Sequence, residues 1–357
     1  MNEEGWSRFE NSLASSWDSF VLEHPWGRFS HLSGFKKTVE AVYGLEAHYW
    51  LYRHRGRLQA VFPSFFHQSL IYGKRLLSQP FSEYGGLLFS PDLNLQEKQK
   101  ILAEFPAVIA RNREKRPFDY VEIRCFPDGQ EFVESLFKKE NLYSYGILPL
   151  RKDMNLWSGV DRSVRKNIKK AGRSGLKLEE GKSAEDVARK FYPLHLKSMK
   201  RLGSPPHPLA YFLTLHKNLE KHMKLWLARF GDATISALLG WAVGKSVHIT
   251  DIASDEKYFS LRGNDFLHFE LIRWAMANDF DCFDFGPIRY PGQEQYKKKW
   301  GIELHEYSCF YLPIRKYKKP LSGRSFPVKL GSFLWKSLIP GPLASKAGKY
   351  LRKELSI

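Results

Sequence analysis

A run of three lysines closed by a tryptophan and a glycine, Tyr296-Lys297-Lys298-Lys299-Trp300-Gly301, is the densest chemical signal in the chain. Ammonium groups so close together build a strong positive field, suited to holding a phosphate or to stabilising an oxyanion as it develops. Tyr296, at its edge, is either a proton donor or a buried aromatic. Asp284 stands near the end of an alternating apolar segment, and Gly286-Pro287 then frees the chain. Its carboxylate could accept a proton from an amine, orient that amine, pair with a neighbouring lysine, or cap backbone. Arg262-Gly263-Asn264 precedes a helical pattern opened by Asp265. Free backbone N–H groups at such a place favour phosphate, and the same residues also suit an ordinary capped helix start. Glu83-Tyr84 precede Gly85-Gly86 in a Pro- and Gly-rich passage, while Arg165 and Arg201 lie in basic stretches of helical pattern. No Ser-His-Asp or Cys-His arrangement is apparent, so direct attack by an acceptor is the simpler mechanism for group transfer.

These residues need a frame. A chain of 357 residues is too long for one ordinary core and suits two domains of about 150 residues each. Its formal charge of +18 favours anionic partners, whether nucleic acid, phosphorylated ligands or an anionic membrane face. No window reaches the roughly 18 uninterrupted apolar residues of a spanning helix, and the acidic start Met1 to Glu10 lacks the layout of a signal peptide, so the chain is expected in the cytoplasm. Cys125, Cys282 and Cys309 lie far apart, which suggests neither a disulfide framework nor a zinc site. A nucleic-acid-binding module is disfavoured, because the basic residues are dispersed and no helix-turn-helix or zinc pattern is present.

Periodicity supplies two similar runs of elements. In the first, a helix over 35–43 ends at Gly44, a strand over 48–52 meets a turn at Arg55-Gly56, and a second strand runs from Arg57 to about Gln68. A helix from about Leu95 to Arg113 leads into the alternating strand 118–124. In the second, strands at 225–230, 234–243 and 247–253 are joined by turns at Gly231-Asp232 and Gly244-Lys245. A helix from about Asp265 to Asn278 then precedes the strand 280–286. Phe118-Asp119 and Phe280-Asp281 fall at the same step of the two runs, which suggests a tandem duplication with mixed α/β halves. Between them, Val160, Val164, Ile168 and Ala171 form one stripe of a basic helix over 160–176. From Ile314 onward, lysines and arginines mix with Phe326, Phe333, Leu334, Trp335, Leu338 and Ile339, a composition suited to an anionic membrane surface or to wrapping the protein itself.

Six segments together resemble, in order and spacing, the FemAB-related transferases and their BioF2-like branch: 31–44 (HLSGFKKTVEAVYG), 77–87 (LSQPFSEYGGL), 165–176 (RKNIKKAGRSGL), 199–203 (MKRLG), 281–286 (DCFDFG) and 296–301 (YKKKWG). The resemblance runs from about Phe29 to about Pro342. It implies two tandem GNAT-like domains, each a mixed sheet flanked by helices, here 1–150 and 151–313 with a basic amphipathic tail at 314–357. It also implies an acyl- or aminoacyltransferase with no bound cofactor and no metal. Classical members take an amino acid from aminoacyl-tRNA and place it on the peptide of a cell-wall precursor, whereas the BioF2-like branch points to an acyl thioester such as acyl-CoA. The chain lacks an obvious long helical-hairpin insertion of the kind some classical members carry. The alternative within the same fold is an acyl-CoA-dependent N-acetyltransferase acting on a small or sugar-linked amine.

Carried onto these positions, the resemblance implies catalytic roles for Lys297, Asp284 and Tyr296, with Lys297 at the motif lysine. The anionic donor would be held by Arg262, Gly263, Asn264 and Lys298. An amine-bearing envelope precursor would be held by Glu83, Tyr84, Arg165 and Arg201, with peripheral contact to the inner face of the membrane through 314–357.

Overall fold

The computed structural model describes residues 4–124, 131–315, 317–318, 331–333, 335–337 and 341–356. Cys125 and the tail residues Phe326, Leu334, Leu338 and Ile339 lie outside the described residues. The chain divides into two compact units, the first holding Met1–Tyr143, Glu306–Pro320 and Lys353–Ile357, the second Ser144–His305 and Leu321–Arg352.

The first unit begins with β1 (Gly5–Arg8), α1 (Ala14–Glu23) and α2 (Ser33–Tyr43), the last stopped by Gly44 at a left-handed φ of 61°. Then come β2 (Glu46–Ala47), β3 (Trp50–His54), β4 (Arg57–Phe62), β5 (Phe65–Ser69), β6 (Gly73–Leu77) and β7 (Leu88–Phe89). The single strand expected from Arg57 to Gln68 is thus two. Pro63 has no N–H for a ladder, and the chain changes sheets there: β4 pairs with β3 and β7, β5 with β2 and β6. The helix expected from Leu95 to Arg113 is also two, α3 (Leu95–Ala103) and α4 (Phe105–Lys115), because Pro106 is tolerated only in a helix's first turn. β8 (Tyr120–Arg124) then lies parallel to β6 over three rungs, Arg75↔Tyr120, Leu76↔Val121 and Leu77↔Glu122.

At that last rung sits a buried ionic cluster. Glu122 pairs with Arg75, and Arg124 Nε lies 3.5 Å from its other oxygen; Arg75 and Glu122 are each 1% exposed. Arg75 Nε donates to His67 Nδ1 at 3.2 Å, and both arginines reach the Ser356 hydroxyl. Glu122 thus joins Arg124 and Arg75 in one ion-paired cluster. A core of Phe62, Leu76, Phe105, Val121 and Ile123 fills the unit.

β9 (Lys138–Pro149) starts in the first unit and ends in the second. There follow α5 (Arg162–Arg173), β10 (Lys177–Gly181), α6 (Tyr192–Leu202), α7 (Leu209–Leu219), β11 (Met223–Phe230), β12 (Ala233–Val243), β13 (Ser246–Ser254), α8 (Gly263–Ala277), β14 (Cys282–Ile288) and α9 (Pro291–Lys298). β15 (Glu303–Pro313) returns the chain to the first unit, and α10 (Gly341–Leu355) is the last helix. In the second unit the order is β10-β11-β12-β13-β14-β9, antiparallel except for the parallel pair β13/β14.

Strand alternation separates the two faces of this sheet. Trp226, Ala228, Val247, Ile249, Phe283 and Phe285 point to one face and join α5 and α8 in one apolar cluster around Val164, Leu267, Leu271 and Trp300. The predicted basic helix is α5: Asp161 accepts from Ser163 N at its start, Val164 and Ala171 are buried, and the lysines and arginines ring the rest. Of the tail, α10 packs on the loop after α6. Arg352 Nε donates to Pro205 O at 2.8 Å, and a Cβ at Gly348 would come within 2.5 Å of Pro206 O. Tyr350, 70% exposed, faces solvent.

Candidate active site

The parallel pair β13/β14 holds for only three rungs, Ser246↔Cys282, Val247↔Phe283 and His248↔Asp284, and each strand then runs on without the other. Both departures are written locally. In β14, Gly286 adopts a φ of 70° that other residues disfavour, and Pro287 removes an N–H. In β13, Ile249 pairs with Gly240 but Asp251 with Leu239, so Thr250 is an extra residue, a bulge. The result is a strand pair that opens after His248 and Asp284, leaving backbone donors and acceptors with no ladder partner across the gap.

The N-terminus of α8 belongs to the open end, because β13 finishes at Ser254 and the Ser254 hydroxyl is bonded to the Asn264 side chain. Gly263 begins the helix in close contact with β12: a Cβ there would lie 2.5 Å from Ser236 Oγ and 3.0 Å from Ser236 Cβ. Arg262, exposed, precedes it at a left-handed φ of 63°. Of the three expected donor-loop residues, Gly263 is thus committed to close packing and Asn264 to β13, while the Arg262 guanidinium and the first N–H groups of α8 remain as features suited to an anion. Lys298, expected beside them, forms an i,i+4 ion pair with Glu294 at 2.5 Å.

Lys297 and Asp284 both hold the end of β14. Lys297 Nζ donates to three carbonyls, Phe285 at 2.5 Å, Gly286 at 3.1 Å and Pro287 at 2.7 Å. Three acceptors occupy the three N–H bonds of an ammonium, so in this state the motif lysine clamps the strand end to α9. Asp284, fully buried, accepts from Gly286 N at 2.7 Å and so fixes the turn that lets β14 leave β13.

Tyr296 lies elsewhere, on the sheet face carrying α8. Its hydroxyl is 3.3 Å from His268 Nδ1, which is also 2.9 Å from Asn264 O. Asn167 of α5 donates to Oδ2 of Asp265 at 2.9 Å. Burial raises the Asp265 carboxyl and lifts the Tyr296 phenol well above its ordinary value; it also lowers His268 to about 4. This is a buried polar bridge from α5 through α8 to α9. It places Tyr296 apart from Asp284, whose neighbours Phe283 and Phe285 point to the α8 face while it points away.

The expected acceptor residues are dispersed. Arg165 Nη1 donates to the carbonyls of Trp157, Ser158 and Val160, closing the turn before α5. Arg201, exposed on α6, covers the Phe259 ring at 5.1 Å. In the first unit, Tyr143 donates to the Glu83 carboxylate and Tyr307 to the Glu83 carbonyl at 2.6 Å. Tyr84, expected to face an acceptor, is buried at 1% exposure, its carbonyl accepting from Ser30 and Ser82 and its ring 5.5 Å from the Arg28 guanidinium. An aromatic followed by two glycines in the sequence carries no mark that its ring points inward.

Sequence reasoning passed over three residues on the face opposite α8. His248 shares the last rung with Asp284, and Asp251 contacts His195 of α6, His195 Nδ1 lying 3.2 Å from Asp251 Oδ1. No motif marks them, since a bulge that turns Asp251 across the sheet leaves no compositional trace. A cavity of about 840 Å³ opens between Trp226, Lys245, Arg273, Trp274 and Phe280, but none of the expected site residues lines it.

Residues 159–298, all in the second unit, match the model of the acetyltransferase (GNAT) domain family. Among solved structures, FemX is similar over 87% of this chain and 97% of its own, with a TM-score of 0.69 at 16% identity. The C-terminal domain of a proposed lysylphosphatidylglycerol synthetase from Agrobacterium fabrum is similar over 85% and 93%, with a TM-score of 0.56 at 9% identity. A tandem GNAT protein from the clavulanic acid biosynthesis pathway is similar over 88% and 100%, with a TM-score of 0.53 at 10% identity. No curated protein matches the sequence. The tandem GNAT fold expected from the sequence is therefore the fold observed, and the FemX likeness agrees with the FemAB-related resemblance.

Proposed function

We propose that the second unit transfers an acyl or aminoacyl group from an anionic donor to an amine, and that the acceptor is an amine-bearing precursor of the cell envelope. The observation that carries this reading is the opening of β13/β14 after three rungs beside the N-terminus of a long helix. Unpaired strand edges suit an extended amide-bearing donor arm, and helix N–H groups with Arg262 suit its phosphates. Acyl-CoA and aminoacyl-tRNA both present that chemistry. The aminoacyl arm draws support from the name of one similar structure, a synthetase of lysylphosphatidylglycerol.

In this reading the neutral acceptor nitrogen attacks the donor carbonyl, a C–N bond forms, and the oxyanion collapses to break the bond to the thiolate or ribose oxygen, which leaves with the proton that the nitrogen loses. Asp284 and Lys297 serve by shaping the end of β14, and Arg262 by holding the donor. The reaction would take place in the cytoplasm, with the exposed Tyr350 and Leu351 of α10 and the neighbouring lysines touching the inner membrane face.

The test is to incubate the protein with acyl-CoA or aminoacyl-tRNA, each against a panel of amines that includes peptide-bearing cell-wall precursors, and to look for the amide by mass spectrometry. An amide with one donor identifies the arm. Folded protein that forms none with any pair refutes the reading.

A further inference from the structure

Asp251 owes its direction to an irregularity. Along β13, Val247 and Ile249 point into the cluster under α8, and unbroken alternation would send residue 251 the same way. The bulge at Thr250 inverts the alternation: Ile252 takes the α8 side and Asp251 is turned across the sheet toward α6. This happens in the part of β13 that has already left β14.

There the carboxylate meets His195. The imidazole is 1% exposed, packed among Phe191, Tyr192 and Phe212, whereas the Asp251 side chain keeps 18% exposure. The acid, not the base, is the member that reaches solvent. Neither ring nitrogen of His195 makes a hydrogen bond of good geometry among the described residues, and the 3.2 Å approach of Nδ1 to Asp251 Oδ1 is its close polar contact. A phenylalanine would fill the same aromatic setting without burying two ring nitrogens, so the contact with Asp251 is what the imidazole supplies. In a chain of +18, no lysine or arginine lies within 4.0 Å of Asp251 among the described residues. The charged groups that face it are His195 from α6 and, farther off, Arg352 from α10, whose Nε is held by Pro205 O.

We infer that Asp251 is the anchor for a positively charged amine of the acceptor other than the attacking nitrogen, with His195 as the residue that positions its carboxylate. The site takes a primary ammonium at the open end of β13, on the face that also carries Asp284 and His248. Burial alone would raise the Asp251 carboxyl, but His195, Arg352 and Thr250 together hold it below the usual carboxylate range, while burial lowers His195. At neutral pH the pair is a carboxylate and a neutral imidazole, a fixed negative charge rather than a strong base.

This inference rests on the acyl-transfer reading, and the experiment separates the two. Wild type, Asp251→Asn and His195→Phe are compared in the full chain, with n-butylammonium as a probe and n-butanol as its uncharged control. Asp251→Asn is isosteric and His195→Phe keeps the aromatic packing, so unchanged melting curves are expected. Asp251→Asn should weaken n-butylammonium binding by about 10- to 100-fold, the scale of one charge-assisted contact, and raise acceptor KM by a similar factor with donor KM unchanged. His195→Phe should raise acceptor KM by a smaller factor with kcat nearly unchanged, a split that loss of folding would not produce. Equal n-butylammonium binding in wild type and Asp251→Asn, or equal binding of butanol and n-butylammonium in wild type, overturns the anchor. A wild type that binds the probe through Asp251 but consumes no acyl donor refutes the acyl-transfer reading alone.

Discussion

Replacing Lys297 by methionine separates two uses of one ammonium. The methionine keeps most of the stem but leaves three carbonyls without their donor, two of them, on Phe285 and Gly286, in buried residues. A hydrogen bond to a charged group contributes about 1.5–3 kcal/mol, and bonds sharing one donor atom do not add in full, so the loss should be about 3 kcal/mol. For a unit of this size about 3 °C accompanies each kcal/mol, and the melting transition of the second unit should fall by about 9 °C. Calorimetry on the full chain measures this, and hydrogen exchange should show faster opening confined to 285–288. Lys297→Arg, which keeps a donor, should recover part of the loss. A Lys297→Met protein that melts and exchanges like wild type but has lost about a hundredfold in kcat, the scale of removing one oxyanion donor, would refute the clamp and return the lysine to the reaction.

Gly263→Ala should destabilise the second unit by about 1–3 kcal/mol through collision with Ser236, and adding Ser236→Gly should restore much of it, read from urea midpoints. Glu122→Gln should cost the first unit about 3–5 kcal/mol by leaving Arg75 and Arg124 buried without their anion; a midpoint within the error of wild type would show that the cluster contributes nothing. His31 and His67 are held at about 3 by burial, so they stay neutral in the folded chain while the unfolded chain binds protons below pH 6.5. Stability should therefore fall as pH falls below 6.5, by about 2 kcal/mol per histidine at pH 5, and His31→Gln should flatten that slope in denaturation midpoints taken from pH 7.5 to 5.

The fold was legible where local rules act. Gly44, Arg55-Gly56, Gly231-Asp232 and Gly244-Lys245 end or turn elements as their residue types demand, and the strands 223–230, 233–243 and 246–254 lie between those turns where their apolar runs place them. Pro63 and Pro106 were equally visible, yet a continuous apolar pattern runs across both and masked the breaks. The site was legible in position more than in role. Residue type marked Lys297 and Asp284, and both hold the end of β14, but a lysine that clamps carbonyls and one that faces a substrate look alike in sequence. Asp251 and His195 carried no signal, because the bulge that joins them depends on register across β12 and β13.

The two units reach the same backbone step and answer it with different chemistry. Each carries one parallel strand pair of three rungs, β6/β8 and β13/β14, and in each an acid stands on the last rung, Glu122 or Asp284. In the first unit that acid meets Arg75 and Arg124, and the Ser356 hydroxyl completes the cluster, so charge is matched inside a packed interior. In the second, the acid takes the N–H of Gly286 and its neighbour strand bulges outward to present Asp251. Buried ion pairs are costly to open, whereas a strand end held by a lysine and a turn is already open. A duplicated fold that closes one copy with salt bridges and leaves the other splayed has one half built to hold its shape and one built to admit a ligand. That difference supports, independently of the family match to 159–298, the proposal that the second unit is the one that admits a ligand.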